Sequence, residues 1–464
     1  MKIFYKLTLA LAASMMVVTS AFAGGPMTNT NQSAHFLRSI ARGTSLDTDA
    51  VYTNPAGVVF MDNGFHIGIN DQMAKQTRTT TSSLVMGNNL PGGFSETDFQ
   101  GSVFSPLIPS VHFAWKHNRI ALMAGLGVNG GGGTIEYDNG LASFERIVSS
   151  FPTLLTANEL TTTQYSRDLY LKGSSMTLAF NVGAAFRLTD WLSVAAMLRV
   201  GVTNNSYEAG LSNMMINPAH PLINPANGMI SAVEAFTKLG MADYAALVNQ
   251  NLDVKQKGTS FSPVLALAFH KGAWDASIKY EFKMGTELEN ETASDINLGT
   301  GGMFPNGQKV KSETPALLAA AVSRHFGPVK VTAEWHHYFD KNAENSFSNV
   351  IAGNTNEYLL GVEWAINDRW LVSAGTQRTA LNMDESKYSD MNFSISSWSV
   401  GAGLAFLCTD NIRLNLGVMP TFYDEVTNED VHKFNGIPLG QFKDVYKRTS
   451  LAWGIGLDLK FGRK

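Results

Sequence analysis

Ala273-Trp274-Asp275-Ala276-Ser277-Ile278-Lys279-Tyr280-Glu281-Phe282-Lys283-Met284 changes character at every residue. Trp274, Ala276, Ile278, Tyr280, Phe282 and Met284 fall on one side of an extended chain, and Asp275, Ser277, Lys279, Glu281 and Lys283 fall on the other. A period of two places successive side chains on opposite faces, so this stretch is a strand with one apolar and one charged face. The same pattern governs the end of the chain. Leu451, Trp453, Ile455, Leu457, Leu459 and Phe461 oppose Ala452, Gly454, Gly456, Asp458 and Lys460, and in 411–419 Ile412, Leu414, Leu416 and Val418 oppose Arg413 and Asn415.

Working outward from these segments gives fourteen strands, at 64–74, 104–117, 119–128, 171–188, 191–204, 259–270, 273–287, 312–325, 328–339, 356–366, 369–380, 394–407, 411–423 and 447–461. A soluble sandwich also alternates, so strand length and connections decide. Most of these strands are long, and tight joints such as Thr189-Asp190, Lys271-Gly272, Phe326-Gly327 and Asn367-Asp368 alternate with long polar, glycine-bearing ones. Aromatics mark the strand ends at Trp115, Trp191, Trp370 and Tyr423. Short turns on one side, long loops on the other and an even strand count describe an all-β, 14-stranded antiparallel transmembrane β-barrel. In lipid such a closed barrel satisfies every backbone group internally. Its inward face is small and charged, which makes room for a lumen, open or plugged.

The chain of 464 residues, 44% apolar, opens with Lys2, Lys6 and an apolar run over 7–18. Ala21-Phe22-Ala23 supplies the small residues of a cleavage site, so 1–23 reads as a signal peptide. After it no apolar run reaches the roughly 18 residues of a membrane-spanning helix. The formal charge is −4, and losing Lys2 and Lys6 makes the mature chain more acidic, which argues against nucleic acid as a partner. Cys408 is the single cysteine, so neither an intrachain disulfide nor a thiolate metal cluster is available. Between leader and first strand lies a polar, turn-rich segment, 24–63, that contains Asn54-Pro55-Ala56. Asn-Pro favours a turn, yet the same tripeptide recurs at Asn217-Pro218-Ala219 and Asn224-Pro225-Ala226 in a loop region, so its context gives it value.

In that context Ser45-Leu46-Asp47-Thr48-Asp49-Ala50-Val51-Tyr52-Thr53-Asn54-Pro55-Ala56-Gly57 resembles the N-terminal signature of the FadL family. These are outer-membrane transporters of long-chain fatty acids and other hydrophobic compounds. The resemblance extends along the mature chain, including Arg187-Leu188-Thr189-Asp190-Trp191 and the region 280–283. It implies an N-terminal hatch at 24–63 inside a barrel at 64–464, with Asn54, Pro55 and Ala56 ending the hatch. Passive capture in an outer groove, passage inward, and lateral exit through a kinked strand are implied with it. Expected partners are a hydrophobic small molecule such as a fatty acid, outer-membrane lipid and lipopolysaccharide, and the barrel assembly machinery.

Several residues become candidates within this frame. Gly130, Gly131, Gly132 and Gly133 follow the third strand; alone they read as a flexible loop, and at a strand end they mark a lateral opening. Met229, Val233 and Phe236, then Tyr244 and Leu247, recur at helical spacing on either side of Gly240, either as a helical pair packing on loop neighbours or as a ligand groove. Ile147, Val148, Phe151, Leu154 and Leu155 form a second apolar set. Inward Arg199, Lys279 and Lys283 are candidates for holding a carboxylate, or members of a lumen charge network with Glu281 and Glu334. The ten histidines lie scattered without a nucleophile motif and no Gly-Lys-Ser/Thr phosphate loop is present, so neither an enzyme nor an ATPase is indicated and no cofactor or metal is expected. The competing readings are a nonspecific porin and a structural or adhesive barrel.

Overall fold

The computed structural model describes residues 28, 30–296, 302–434 and 436–462. The expected leader at 1–23 lies outside the described residues. Eighteen hydrogen-bonded segments form one sheet. Fourteen wall strands result, because three of them are interrupted and one two-residue segment, Ile230–Ser231, belongs to a loop. In chain order they are β1 (Gly64–Met86), β2 (Phe94–His117), β3 (Ile120–Tyr137), β4 (Tyr165–Arg187), β5 (Leu192–Ile216) and β6 (Gln250–Lys271). Then come β7 (Trp274–Glu281 and Glu287–Ser294), β8 (Lys309–Lys311 and Leu317–Phe326), β9 (Val329–Tyr338) and β10 (Thr355–Ala365). The circuit ends with β11 (Trp370–Ala380), β12 (Ser397–Thr409), β13 (Ile412–Tyr423 and Val426–Phe434) and β14 (Ile437–Phe461). Every neighbour pair is antiparallel, and β1 pairs with both β2 and β14, from Phe65↔Phe461 to Met86↔Gly440, which closes the barrel.

The expected alternation holds across the lower wall. Phe65, Ile69, Leu122, Phe180, Leu267, Ile278, Leu360 and Ile455 are exposed on the outside, while their sequence neighbours turn inward. These outward residues form the apolar band that a bilayer requires. Several strands run well beyond the expected ends. β1 continues to Met86 through Thr77-Arg78-Thr79-Thr80-Thr81-Ser82-Ser83, and β14 begins at Ile437, so much of the anticipated long loops is extended hairpin. Above an apolar band the outer face has no need to be apolar, so the period-two hydropathy fades while ladder pairing and β-branched threonines persist.

The segment before β1 lies inside the barrel. It holds α1 (Ala34–Ser39), α2 (Ala50–Thr53) and a 3₁₀ turn (Pro55–Phe60), nearly all buried. Three further helices, α3 (Ala142–Ala157), α4 (Ala232–Lys238) and α5 (Ala242–Leu247), come from the loops at the opposite end from the tight turns. Among the described residues no helix is long and apolar enough to cross a membrane.

Candidate functional site: plug, lumen and wall

The plug is held by two different chemistries. On the side of β2 to β6, Ala50, Val51, Ala56, Val58 and Val59 pack against inward Ala114, Ala121, Met123, Ala185, Met197 and Ala266. Small wall residues leave the space that the plug fills. On the opposite side, α1 lies against inward glycines of β10 to β13. A Cβ on Gly417 would stand 2.7 Å from the Arg38 backbone nitrogen and 2.8 Å from the Ala34 carbonyl, and one on Gly361 would stand 2.5 Å from the Ser39 carbonyl. Those glycines permit backbone to approach wall.

Charged groups fix the register. Arg38 and Arg42 meet Glu363 of β10 at 2.7 and 3.0 Å, and Arg42 also holds Asp49 at 2.8 Å and Asp47 at 2.9 Å. Arg413 of β13 reaches Asp47 at 2.8 Å, His35 meets Asp458 of β14 at 2.9 Å, and Thr48 donates to the same Asp458. His35, Asp47 and Asp49 lie close enough to suggest a cation site, but Arg42 occupies the space between the two carboxylates. The Asn54-Pro55-Ala56 motif ends this unit. The Asn54 amide donates to the Ser45 carbonyl at 3.0 Å, Pro55 opens the 3₁₀ turn at its first position, and the Ala56 carbonyl accepts from Ser193 of β5 at 2.6 Å. The two other Asn-Pro-Ala copies serve loop geometry, with Asn217 accepting from the Thr163 and Gln164 amides and Asn224 donating to Pro218 and Gly228 carbonyls.

Above the plug a cavity of about 420 Å³ remains, floored by Thr30 and Asn31 and reaching Gly130 and Gly131 on one side and Arg78 and Arg448 on another. The three sequence-selected cations do not stand free beside it. Arg199 pairs with Glu281 and donates from Nε to the Asn181 side-chain oxygen at 2.7 Å, Lys279 meets Glu281 at 2.7 Å, and both cations lie over the ring of the plug's Tyr52, at 4.9 and 5.2 Å. Lys283 pairs with Glu313 at 2.7 Å. Arg199 and Lys279 are buried pairs with Tyr52 keyed into them, whereas the Lys283 pair is exposed. Glu334 bonds His336 at 2.7 Å rather than any of the three.

The glycine run departs from the expected strand end. It lies within β3, which continues to Tyr137. Pairing to β4 persists through two bulges, at Val128/Gly130 and Gly131/Gly133, because Gly131 (φ 72°) and Gly132 (φ 109°) adopt backbone angles that side chains resist. The other edge differs. The β2–β3 ladder runs from His117↔Ile120 to Ser110↔Gly127 and returns only at Ser102↔Glu136, so 103–109 and 128–135 are joined by no ladder. Pro106 and Pro109, which lack an N–H, stand in that unpaired part of β2. Outside it lie exposed Phe104, Leu107 and Met176, so the gap in pairing is level with the apolar outer surface.

The roof contains the second candidate group. Phe236 and Tyr244 are buried, with ring centroids 5.7 Å apart, and Phe236 also meets Phe151 at 5.7 Å. They form loop core with Val148, Leu155, Met214, Ile216 and Phe434 and present no open groove, since helices this short gain stability chiefly by burying an apolar face. Leu247 instead lines a small apolar pocket of about 60 Å³ with Phe144, Ile147, Phe151 and Leu211, while Met229 and Val233 face outward. Arg146 of α3 fastens the roof to the barrel mouth through Asp444 of β14 at 2.8 Å and Ser82 of β1 at 3.2 Å.

No protein-family model matches the chain and no curated protein matches it by sequence. Solved structures do match in fold. A Pseudomonas aeruginosa FadL homologue superposes with a TM-score of 0.65 at 14% identity, over 95% of this chain and 100% of that one. The Pseudomonas putida toluene transporter TodX gives 0.55 at 11% identity over 95% and 100%, and the Ralstonia pickettii toluene transporter TbuX gives 0.52 at 14% over 95% and 99%. The fourteen-stranded barrel with an internal N-terminal plug is therefore the fold these proteins share with this chain.

Proposed function

We propose that this FadL-like barrel sits in a Gram-negative outer membrane and carries hydrophobic small molecules across it by passive diffusion. The single observation that carries the reading is the coincidence of a plugged lumen with a wall that loses ladder pairing beside it. A plug locked on two sides opposes free ion flow, which disfavours a nonspecific porin. A wall without paired strands supplies the route that an apolar solute prefers, since entering the bilayer is worth roughly 0.8 kcal/mol per methylene buried. Capture begins at the apolar roof pocket beside Leu247, continues in the cavity above the plug, and ends between β2 and β3. Long-chain fatty acids and monoaromatic hydrocarbons are the two cargo classes that this route suits, and the toluene transporters of like fold support the second. Cells expressing the chain should accumulate labelled toluene or a labelled long-chain fatty acid faster than cells without it, with no gain in leakage of a small sugar. Equal gains for the sugar would instead establish a porin.

A further inference from the structure

The outer face of the wall carries a hollow that spanning a bilayer does not require. On the outside of β7, β8 and β9, Ala276, Ala320 and Ala333 stand among larger outward residues such as Leu267, Ile278 and Trp335. An apolar band needs only apolar side chains, whereas alanines grouped within it leave a recess, here an apolar groove of about 540 Å³. One step nearer the tight turns, the next outward row reads Lys271, Trp274 and Arg324, register partners across β6, β7 and β8. The Arg324 guanidinium lies over the Trp274 and Phe326 rings, at 5.0 and 4.9 Å. Among the described residues neither Lys271 nor Arg324 forms an ion pair. The nearby acids are engaged elsewhere: Asp275 points into the barrel and meets His270 at 2.6 Å, His325 at 3.0 Å and Lys330 at 3.6 Å, and Asp190 of the β4–β5 turn reaches Arg119 at 3.7 Å.

We propose that this groove and the cations beneath it form a binding site for one anionic glycerophospholipid of the periplasmic leaflet. In barrels of this class the tight turns face the periplasm, and aromatics such as Trp274 sit at head-group level, so Lys271 and Arg324 stand where lipid phosphates lie. Arginine and lysine with no acid of their own suit a phosphodiester, and an acyl chain running toward the bilayer centre enters the groove. A second copy of the chain is the poorer occupant. Two barrels of the same orientation, related by a two-fold axis along the membrane normal, would bring the same cationic row of each copy together at one height. The groove also lies on β6 to β9, away from the β2–β3 gap, so the site depends on the membrane setting and is independent of cargo.

The test uses the full-length barrel, purified free of lipid in nonionic detergent and titrated under native mass spectrometry. Dioleoyl-phosphatidylglycerol, dioleoylglycerol and lipid A are the separate probes. The wild type should retain one phosphatidylglycerol per barrel, about tenfold or more tightly than dioleoylglycerol, which has the same chains and no phosphate. In K271Q/R324Q that preference should vanish. Ala320→Phe, which fills the groove from the lipid side and leaves both cations in place, should weaken phosphatidylglycerol binding about tenfold. The wild-type comparison of the two dioleoyl lipids stands even if a variant fails to assemble. Equal retention of those two lipids, tighter retention of lipid A, or a lipid-free dimer would overturn the site, as would a preference kept by an assembled K271Q/R324Q barrel.

Discussion

Arg42 of the plug and Glu363 of β10 stand 3.0 Å apart, and Arg38 reaches the same carboxylate oxygen at 2.7 Å. One wall carboxylate thus receives two plug cations, both arginines buried and Glu363 nearly so. Removing one partner of a buried pair leaves an uncompensated charge and typically costs about 3–5 kcal/mol. Glu363→Ala should therefore loosen the plug without unmaking the wall, whose ladder through β10 does not use that side chain. Single-channel recording in planar bilayers should show larger and noisier conductance than the wild type, in barrels that still show the heat-dependent gel shift of an assembled barrel. A silent trace would mean that the apolar seal alone holds the plug.

The roof gives a second expectation. Phe236 is buried between Phe151 and Tyr244, so Phe236→Ser opens a cavity and buries a hydroxyl, with a local cost of about 3–5 kcal/mol. Leu247 is only partly buried, at the edge of that core where it lines the small pocket, so Leu247→Ser disturbs the core less. Hydrogen exchange in α3 to α5 should accelerate strongly in the first variant and little in the second, while cargo capture weakens in both. Unchanged exchange in Phe236→Ser would deny the roof its core.

A third expectation concerns acid. His432, on the upper part of β13, accepts or donates a hydrogen bond to Ser150 of α3 at 2.8 Å. Burial, and after it the neighbouring Arg146 guanidinium, pushes its pKa down to about 4 from 6.5. Above pH 6.5 the ring is neutral whether the roof is docked or open, so it contributes nothing to pH dependence. Between about 6.5 and 4 the open form takes up a proton that the docked form refuses, so docking weakens as pH falls. Exchange protection around Ser150 should decline over that window in the wild type and decline less in His432→Asn. Identical profiles would assign the acid response to other groups.

Much of this architecture was legible because it is written at period two. The fourteen strands and their tight turns follow from residues such as Trp274, Ile278 and Leu457 and from Thr189-Asp190 and Lys271-Gly272. The upper halves were hidden, since Thr77 to Ser83 carry no apolar alternation once the strand leaves the lipid band. That is also why the upper lumen offered no candidates, while Arg199, Lys279 and Lys283, in well-patterned strands, drew attention although each has an acid beside it. Inward glycines such as Gly361 and Gly417 signalled a wall built to receive another backbone, a signal that alternation alone does not separate from a water-filled lumen. The four glycines of β3 do not end the strand as their run suggested: they permit bulges within a strand that continues to Tyr137.

Sideways release makes its most direct demand on those bulges. A side chain at Gly131 would overlap the Ser175 carbonyl, and Gly131 and Gly132 both hold positive φ angles that valine resists. Replacing both with valine should therefore abolish the bulged geometry that carries β3 past the stretch where it parts from β2, and with it the opening. The decisive measurement is uptake of labelled dodecanoate or toluene by cells expressing G131V/G132V, alongside binding to the purified barrel. Loss of uptake with binding retained is the predicted result; wild-type uptake by a fully assembled double variant would contradict exit between β2 and β3.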